Sequence, residues 1–175
     1  MTDRGPLSHK AGIFWPLAAL LVLADCTSKE LAVEHLEPAH VPHDVLGSAL
    51  RFTLAYNSGS AFGLDLGPWS RPLLIASTLV ILAGLGTLYL RAHPGERVSA
   101  LALALVCGGA VGNLLDRLRS PHGVVDFIDV GVGTHRFWTF NLADTAITIG
   151  AVLLAMIFAR AEPSGIASER PPRHH

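Results

Sequence analysis

Apolar residues in this chain occur in long uncharged runs, rather than on one face of an amphipathic pattern. About 20 such residues form a helix that crosses the roughly 30 Å of bilayer hydrocarbon. Runs 72–90 and 98–115 meet this requirement, and the weaker runs 11–24 and 145–159 flank them. Four such runs leave too little polar chain to cover them in water. The pattern therefore predicts a mainly α membrane protein with four transmembrane helices.

A shorter pattern with a period of two lies between the first two runs. Apolar side chains at alternate positions of 50–56 are typical of a strand with one covered face. The following Asn57-Ser58-Gly59 predicts a turn, and residues 61–64 are a candidate returning strand. We therefore expect a small extracytoplasmic β-sheet that rests on the membrane surface.

Composition supports a membrane location and excludes two other classes of protein. Half of the 175 residues are apolar and 15% are charged, whereas roughly a quarter are charged in soluble domains. A formal charge of -1 provides no basic surface, so we predict no nucleic-acid partner. The cysteines Cys26 and Cys107 are too few for a disulfide framework, and we expect both to be packing residues.

Basic residues near the ends of the runs predict the orientation, because Lys and Arg are enriched in cytoplasmic loops. Those at the predicted inner ends are Arg4, Lys10, Arg91, Arg97, Arg160, Arg170 and Arg173. Both termini are therefore predicted to be cytoplasmic, with residues 30–70 and 116–140 as outer loops. We expect one membrane domain over residues 1–161, which includes these loops. Residues 162–175 show no periodicity and are predicted to be a disordered cytoplasmic tail.

Polar residues within and beside the runs collect at one predicted membrane face. They are Asp25, Lys29, Asn57, Asn113, Asp116, Arg117, Asp126, Asn141 and Asp144. An ionisable residue at the centre of a membrane helix costs about 2.5–3.5 kcal/mol, and such residues usually mark a functional site. The sequence therefore predicts a polar site at the extracytoplasmic ends of the helices.

Five short motifs in this region occur in an order that resembles lipoprotein signal peptidase, the type II signal peptidase of bacteria. They are the segments 25–29 (DCTSK), 57–62 (NSGSAF), 112–117 (GNLLDR), 124–128 (VVDFI) and 140–144 (FNLAD). The resemblance implies an intramembrane aspartyl endopeptidase of the bacterial cell inner membrane. Such an enzyme would remove the signal peptide of prolipoproteins by cutting before a cysteine that carries a diacylglyceryl group.

The same resemblance implies a set of site residues and partners. Asp126 and Asp144 would be the catalytic pair. The residues that support this pair or bind the substrate would be Asp25, Lys29, Asn57, Gly59, Asn113, Arg117 and Asn141. The expected partners are the diacylglyceryl-modified prolipoprotein and membrane lipid. Water-mediated hydrolysis by this pair would need no metal and no cofactor.

Hydrolysis by two carboxylates needs one ionised group to activate water and one protonated group to donate to the scissile carbonyl oxygen. If Asn141 caps the fourth helix, Asp144 lies in its first turn, where the helix dipole favours negative charge. Asp126 lies in an apolar segment, so desolvation beside a second carboxylate would raise its pKa. We therefore predict that Asp126 holds the proton, as a hypothesis about a coupled pair.

Structural roles compete with this catalytic interpretation. Asn141 and Asp144 are spaced to form a capping box, which alone would explain both residues. Asp25 and Lys29 are spaced i, i+4, and we prefer the interpretation that they form an ion pair that braces the site.

Other polar residues are given simpler interpretations. We expect Asp116 to pair with its neighbour Arg117, and Asp129 to be an exposed loop residue. The spacing of His40 and His43 suggests a metal site only weakly, because no cysteine lies near them. We therefore predict that no zinc is bound.

Two rival functions remain for a polar site in a membrane protein, a small transporter or channel component and a scaffold protein. Proton relays of transporters normally lie near the membrane midplane, whereas these polar residues collect at one face. Phe62, Leu64 and Trp69 are plausible contacts to a lipidated substrate. For Trp69 we prefer the role of an interface anchor, because Trp is enriched at membrane interfaces.

Overall fold

The computed structural model of the chain describes residues 7–58, 67–93 and 96–161. Its four long helices are α1 (Leu7–Leu36), α2 (Ser70–Arg91), α3 (Arg97–Arg119) and α4 (Leu142–Ala161). Each is long and apolar enough to cross a membrane, which confirms the four predicted spans. A 3-10 turn over Gly67–Trp69 precedes α2. The predicted strand over 61–64 and the predicted tail over 162–175 lie outside the described residues.

Two helices extend further than their apolar runs. The run 11–24 predicts a helix that ends near Asp25, whereas α1 continues to Leu36. Residues 116–119 belong to α3, so both predicted outer loops begin later than expected. α1 continues through the charged positions because Asp25 and Lys29, one turn apart, neutralise each other and do not need water at this depth.

α3 is the central helix of the bundle. In the 18-residue apolar stretch of α3, 67% of the residues are buried, whereas none of the corresponding residues of α2 are buried. Small residues on α3 allow its neighbours to approach closely, and a Cβ at Gly109 would lie 2.5 Å from the carbonyl oxygen of Ala143 in α4. Close approach at small residues is the common packing mode of membrane helices. Large apolar side chains on the outward faces of the other three helices stay exposed, as a lipid-facing surface requires.

One end of the bundle, which we call the sheet end, carries a four-stranded antiparallel sheet. Its strands are β1 (Pro42–Leu46), β2 (Leu50–Asn57), β3 (Val124–Val132) and β4 (His135–Arg136), in the order β1-β2-β3-β4. The predicted strand over 50–56 is therefore confirmed. Its partners come from the segment before it and from the segment between α3 and α4.

The register of β3 places Asp126 at the sheet end of the bundle. Asp126 lies opposite Ala55 of β2. On the other edge, the backbone amides of Phe127 and Ile128 donate to the carbonyl oxygen of Phe140, at 3.0 and 2.8 Å. Because Phe140 precedes the first turn of α4, this pairing brings Asp126 next to the start of that helix.

Candidate active site

A buried ionic cluster joins α1 to α3 at the sheet end. Lys29 Nζ lies 2.7 Å from Asp25 Oδ2 and 2.9 Å from Asp116 Oδ2, and it donates to Asn113 Oδ1 at 2.8 Å. Asp25 is 0% exposed and Lys29 3% exposed. The predicted ion pair of Asp25 and Lys29 is confirmed. A buried ammonium with three oxygen acceptors is fully satisfied, which is the condition for tolerating such a charge in the interior.

The prediction that Asp116 pairs with Arg117 is wrong. Asp116 instead binds Lys29 of α1, and its Oδ2 also accepts the backbone N–H of Val125 at 3.3 Å. Successive residues of a helix point in directions about 100° apart, so neighbours on α3 do not face each other. The pairing partner is set by the packing of α1 and β3 against α3.

Asp25 also connects α1 to the beginning of α4. Its Oδ1 accepts the backbone N–H of Ala143 at 2.9 Å. A Cβ at Gly112 would lie 2.5 Å from Asp25 Oδ2, so α3 must have glycine at this position for the carboxylate to fit. The Asp25 carboxylate therefore fixes the position of the first turn of α4, which carries Asp144.

Asn141 and Asp144 form the capping box predicted for the fourth helix. The N–H of Asp144 donates to Asn141 Oδ1 at 2.9 Å, and the N–H of Asn141 donates to Asp144 Oδ2 at 3.3 Å. The second carboxylate oxygen, Oδ1, accepts Asn113 Nδ2 at 2.7 Å. The cap therefore orients Asp144 towards α3 and the interior of the site, so the structural and catalytic interpretations do not exclude each other.

Two side-chain amides connect Asp126 to Asp144. Asn141 Nδ2 donates to Asp126 Oδ1 at 2.7 Å and lies 3.1 Å from Asn113 Oδ1. Asn113 in turn donates to Asp144. Asn57, at the end of β2, contributes a further side-chain hydrogen bond to Asp126. The two acids are thus brought together from β3 and α4 through a continuous network of amide groups.

The electrostatic environment favours the protonated form of Asp126. Its side chain is buried, and this burial, followed by the negative charge of Asp144, raises the pKa of Asp126 to about 7. Hydrogen bonds from Asn141 and Asn57 and the charge of Lys29 act in the opposite direction. The direction of the shift agrees with the prediction from the apolar sequence around Asp126.

Arg117 lies beside the two acids. Its Nη1 donates to the Asn113 carbonyl oxygen at 3.2 Å, and its charge interacts with Asp144, Asp126 and Asp116. Its buried Nε has no hydrogen-bond partner among the described residues. One N–H donor of the guanidinium thus remains available for a group that binds at the site.

The structure also contains polar contacts that sequence reasoning missed. Arg71 of α2 donates through Nε to the carbonyl oxygen of Arg117 at 2.6 Å and through Nη2 to that of Leu118 at 3.3 Å. A cation at a helix C-terminus is favourable because the last carbonyl groups there lack helical partners. Arg71 and Arg117 lie 46 residues apart in the chain, so no sequence spacing indicates this contact.

The prediction that Asp129 is exposed is wrong. Asp129 is 8% exposed within β3, where it binds Arg136 Nη2 at 2.7 Å and accepts from Thr53 Oγ1 at 3.1 Å. The prediction fails because the apolar start of β3 is buried on both faces, so its sequence shows no alternation that would indicate a strand. Arg136 therefore has a structural partner within the sheet.

The remaining predicted residues are one glycine and three apolar or aromatic residues of the first predicted outer loop. Gly59, Phe62 and Leu64 lie outside the described residues. Trp69 lies in the turn before α2 and is 70% exposed. Within the described ranges, no group of three or more His, Cys, Asp or Glu residues is arranged to hold a metal ion.

Comparison with known proteins identifies the family. The family described as "Signal peptidase (SPase) II" matches residues 17–160 of the chain. The chain belongs to this family. A protein of Pseudomonas aeruginosa named "Lipoprotein signal peptidase" is 45% identical over 127 residues, which cover 71% of this chain and 75% of that protein. A protein of Burkholderia ambifaria with the same name is 42% identical over 155 residues, or 85% of this chain and 89% of that protein.

Solved structures show the same fold. Two structures described as a bacterial membrane enzyme are similar to this chain, with TM-scores of 0.76 and 0.74. They are 26% and 28% identical and cover 93% and 87% of this chain, and this chain covers 95% of each. The resemblance inferred from the five motifs is therefore confirmed, and the chain is an aspartic endopeptidase of the signal peptidase II type.

Proposed function

We propose that Asp126 and Asp144 are the catalytic pair with which this signal peptidase removes signal peptides from prolipoproteins. The observation that carries the proposal is the amide network in which Asn141 and Asn113 bind one acid each and contact each other. This network brings together two carboxyl groups from β3 and α4, of which Asp126 is buried and Asp144 half-buried. Two acids in different environments are what acid–base hydrolysis of a peptide requires.

The contacts of the two acids assign a role to each. Asp144 accepts two N–H groups and lies in the first turn of α4, where the helix dipole stabilises negative charge. It acts as the base that removes a proton from the attacking water. Asp126, with its raised pKa, donates its proton to the scissile carbonyl oxygen. Water attacks directly, so the reaction forms no covalent intermediate with the enzyme. As the peptide bond then breaks, Asp144 passes the proton that it took from water to the leaving nitrogen, and Asp126 takes its proton back from the hydroxyl group that becomes the new carbonyl oxygen.

The supporting residues keep the pair in this arrangement. Lys29 holds Asn113 Oδ1, so the amide of Asn113 must present its Nδ2 to Asp144. Arg117 supplies positive charge beside both acids and has a free Nε donor. We assign this donor to the substrate backbone or to the oxygen that becomes negative during the reaction, because such donors stabilise the transition state.

The position of the pair supports an entry route for the substrate and an orientation in the membrane. The acids lie where the sheet meets the helices, beside outward faces that stay apolar. A signal helix and a diacylglyceryl group on the cysteine after the cleaved bond would therefore enter sideways from the bilayer. Arg91, Arg97 and Arg160 lie at the opposite end, and basic residues are enriched on the cytoplasmic side of membrane proteins. We therefore assign that end and both termini to the cytoplasmic side of a bacterial inner membrane. The sheet end then faces the extracytoplasmic side.

The proposal is tested with purified protein in detergent and two forms of one precursor, with and without the diacylglyceryl group. Asp126→Asn and Asp144→Asn should each lower the rate of cleavage by about 10²–10⁴-fold, the range expected for loss of general acid–base catalysis. Asp44→Asn is the matched control, because Asp44 is an exposed carboxylate paired with Arg51. It should leave the rate unchanged.

Two results would contradict the proposal. Cleavage at the normal rate by either dyad variant, once shown to be folded, would exclude that residue from catalysis. Equal cleavage of the two precursor forms would contradict the proposal that the enzyme recognises the diacylglyceryl group. It would not contradict the assignment of the catalytic pair.

A further inference from the structure

The chain enters β3 through a tight turn that presses against the end of β2. Ser120 and Pro121 begin the turn, and the N–H of Gly123 reaches the carbonyl oxygen of Ser120 at 3.4 Å. Serine at the first position and proline at the second are the residues that such a turn favours. Gly123 has a φ of 93°, a conformation that residues with a side chain rarely adopt.

Gly123 has a second constraint besides its backbone conformation. A Cβ at this position would lie 2.6 Å from the carbonyl carbon of Asn57 and 2.7 Å from Ser58 Cα, and nearer still to the Asn57 carbonyl oxygen. These neighbours are backbone atoms of Asn57, the last residue of β2, and of Ser58, which follows it, and they cannot rotate away as a flexible side chain would. Any side chain at position 123 must therefore displace the end of β2.

The displaced residue would be one that binds a catalytic acid. Asn57 is the last residue of β2, lies opposite Val124 in the register, and donates a side-chain hydrogen bond to Asp126. We propose that Gly123 is a positioning residue for the peptidase reaction, because its lack of a side chain lets the turn hold the end of β2 where Asn57 reaches Asp126. The inference rests on the proposed role of Asp126.

Two other glycines provide matched controls. Gly133, between β3 and β4, and Gly47, between β1 and β2, also have positive φ values, of 58° and 53°. A Cβ at either position would have no atom within 4 Å. Alanine at these sites therefore adds the same methyl group at a positive φ without touching β2, Asn57 or either acid.

The test compares the pH dependence of kcat and KM for the wild-type protein, Gly123→Ala, Gly133→Ala, Asn57→Ala and the double variant Asn57→Ala/Gly123→Ala. Gly123→Ala should lower kcat by about tenfold or more, the effect of losing one hydrogen bond to an ionisable group. Gly133→Ala should stay within about twofold of wild type, as expected for a surface substitution that removes no contact. The double variant should be no slower than Asn57→Ala, because two changes that act through one contact are not additive.

The pH profile separates positioning from general damage. The groups that face Asp126 are Asp144 from α4, Lys29 from α1, Arg117 from α3 and the amides of Asn141 and Asn57. The hydrogen bond from Asn57 lowers the pKa of Asp126, so its loss raises that pKa. Gly123→Ala and Asn57→Ala should therefore shift the alkaline limb to higher pH by the same amount, and Gly133→Ala should not shift it.

Gly123→Asn separates backbone strain from the steric contact, because asparagine tolerates positive φ but still has a Cβ. It should behave as Gly123→Ala. Recovery of the wild-type profile in Gly123→Asn would overturn the proposal, and so would a Gly123→Ala profile that matches Gly133→Ala. Failure of Gly123→Ala to accumulate in membranes that contain normal amounts of Gly133→Ala would also overturn it, by showing a role in folding instead. If Asp126→Asn keeps its activity, the proposed function fails, whatever Gly123 does.

Discussion

Replacing Asp126 with asparagine should stabilise the protein while it removes the activity. The folded state keeps the proton of Asp126 up to a pKa of about 7, whereas the unfolded state releases it above the ordinary value of 3.8. Between these values the unfolded state binds fewer protons, so stability falls as the pH rises and the full loss is reached above pH 7. Asparagine does not titrate and still offers an oxygen to Asn141.

The magnitude follows from the size of the shift. A change of about three pKa units at about 1.4 kcal/mol each corresponds to at most about 4 kcal/mol of stability above pH 7. For a chain of this length, each kcal/mol moves the midpoint of unfolding by about 2–4 °C. Asp126→Asn should therefore unfold at most about 8–16 °C higher than wild type at pH 8, and at nearly the same temperature at pH 4.

Thermal unfolding in one detergent at a series of pH values measures this difference. Asp144→Asn serves as the comparison, because it removes the second cause of the raised pKa of Asp126 and leaves its burial. The pH-dependent loss of stability should be smaller in Asp144→Asn than in wild type. If the midpoint temperatures of wild type and Asp126→Asn differed by the same amount at every pH from 4 to 8, the argument that Asp126 is held in its protonated form would be refuted.

Three further predictions follow from the same contacts. The cleavage rate should fall about tenfold per pH unit above about pH 7, because Asp126 loses its proton there; a flat profile to pH 9 would contradict this. Lys29→Met should lower the free energy of unfolding by about 3–5 kcal/mol, because the carboxylates of Asp25 and Asp116 lose their cation. An unchanged melting temperature would show that Lys29 does not stabilise the fold through this pairing. Asp129→Asn should weaken the sheet by about 1–3 kcal/mol through Arg136 but keep the pH profile, and loss of cleavage in folded protein would argue against a purely structural role.

Local signals were enough to predict much of the fold and part of the site. The four spans follow from uncharged runs, and the strand over 50–56 follows from its alternation. The pair of Asp25 and Lys29 and the capping box of Asn141 and Asp144 depend on spacing within one helix, which the sequence shows directly. In both of these pairs, the interacting residues lie about one helical turn apart.

The errors concern contacts between elements. The start of β3 is buried on both faces, so it lacks the alternation that marks a half-covered strand. Asp116 binds Lys29 of another helix, and Asp129 binds Arg136 of another strand. Neither partner is specified by sequence spacing, because the packing of α1 on α3 and of β4 on β3 decides which charges meet.

The structure also gives a fuller reason for the protonation of Asp126 than its apolar neighbours in sequence do. The charged groups around the two acids are Asp25, Asp116, Asp126, Asp144, Lys29 and Arg117, all buried or half-buried. With all of them ionised, four carboxylates face two cations, so the cluster favours the uptake of a proton. Three carboxylates each accept at least one backbone N–H, and Asp126 is bound by the side-chain amides of Asn141 and Asn57. At the start of α4 the helix dipole adds to the backbone donors in stabilising the negative charge of Asp144. The proton of the pair therefore belongs on Asp126 of β3, opposite Asp144, the proposed base.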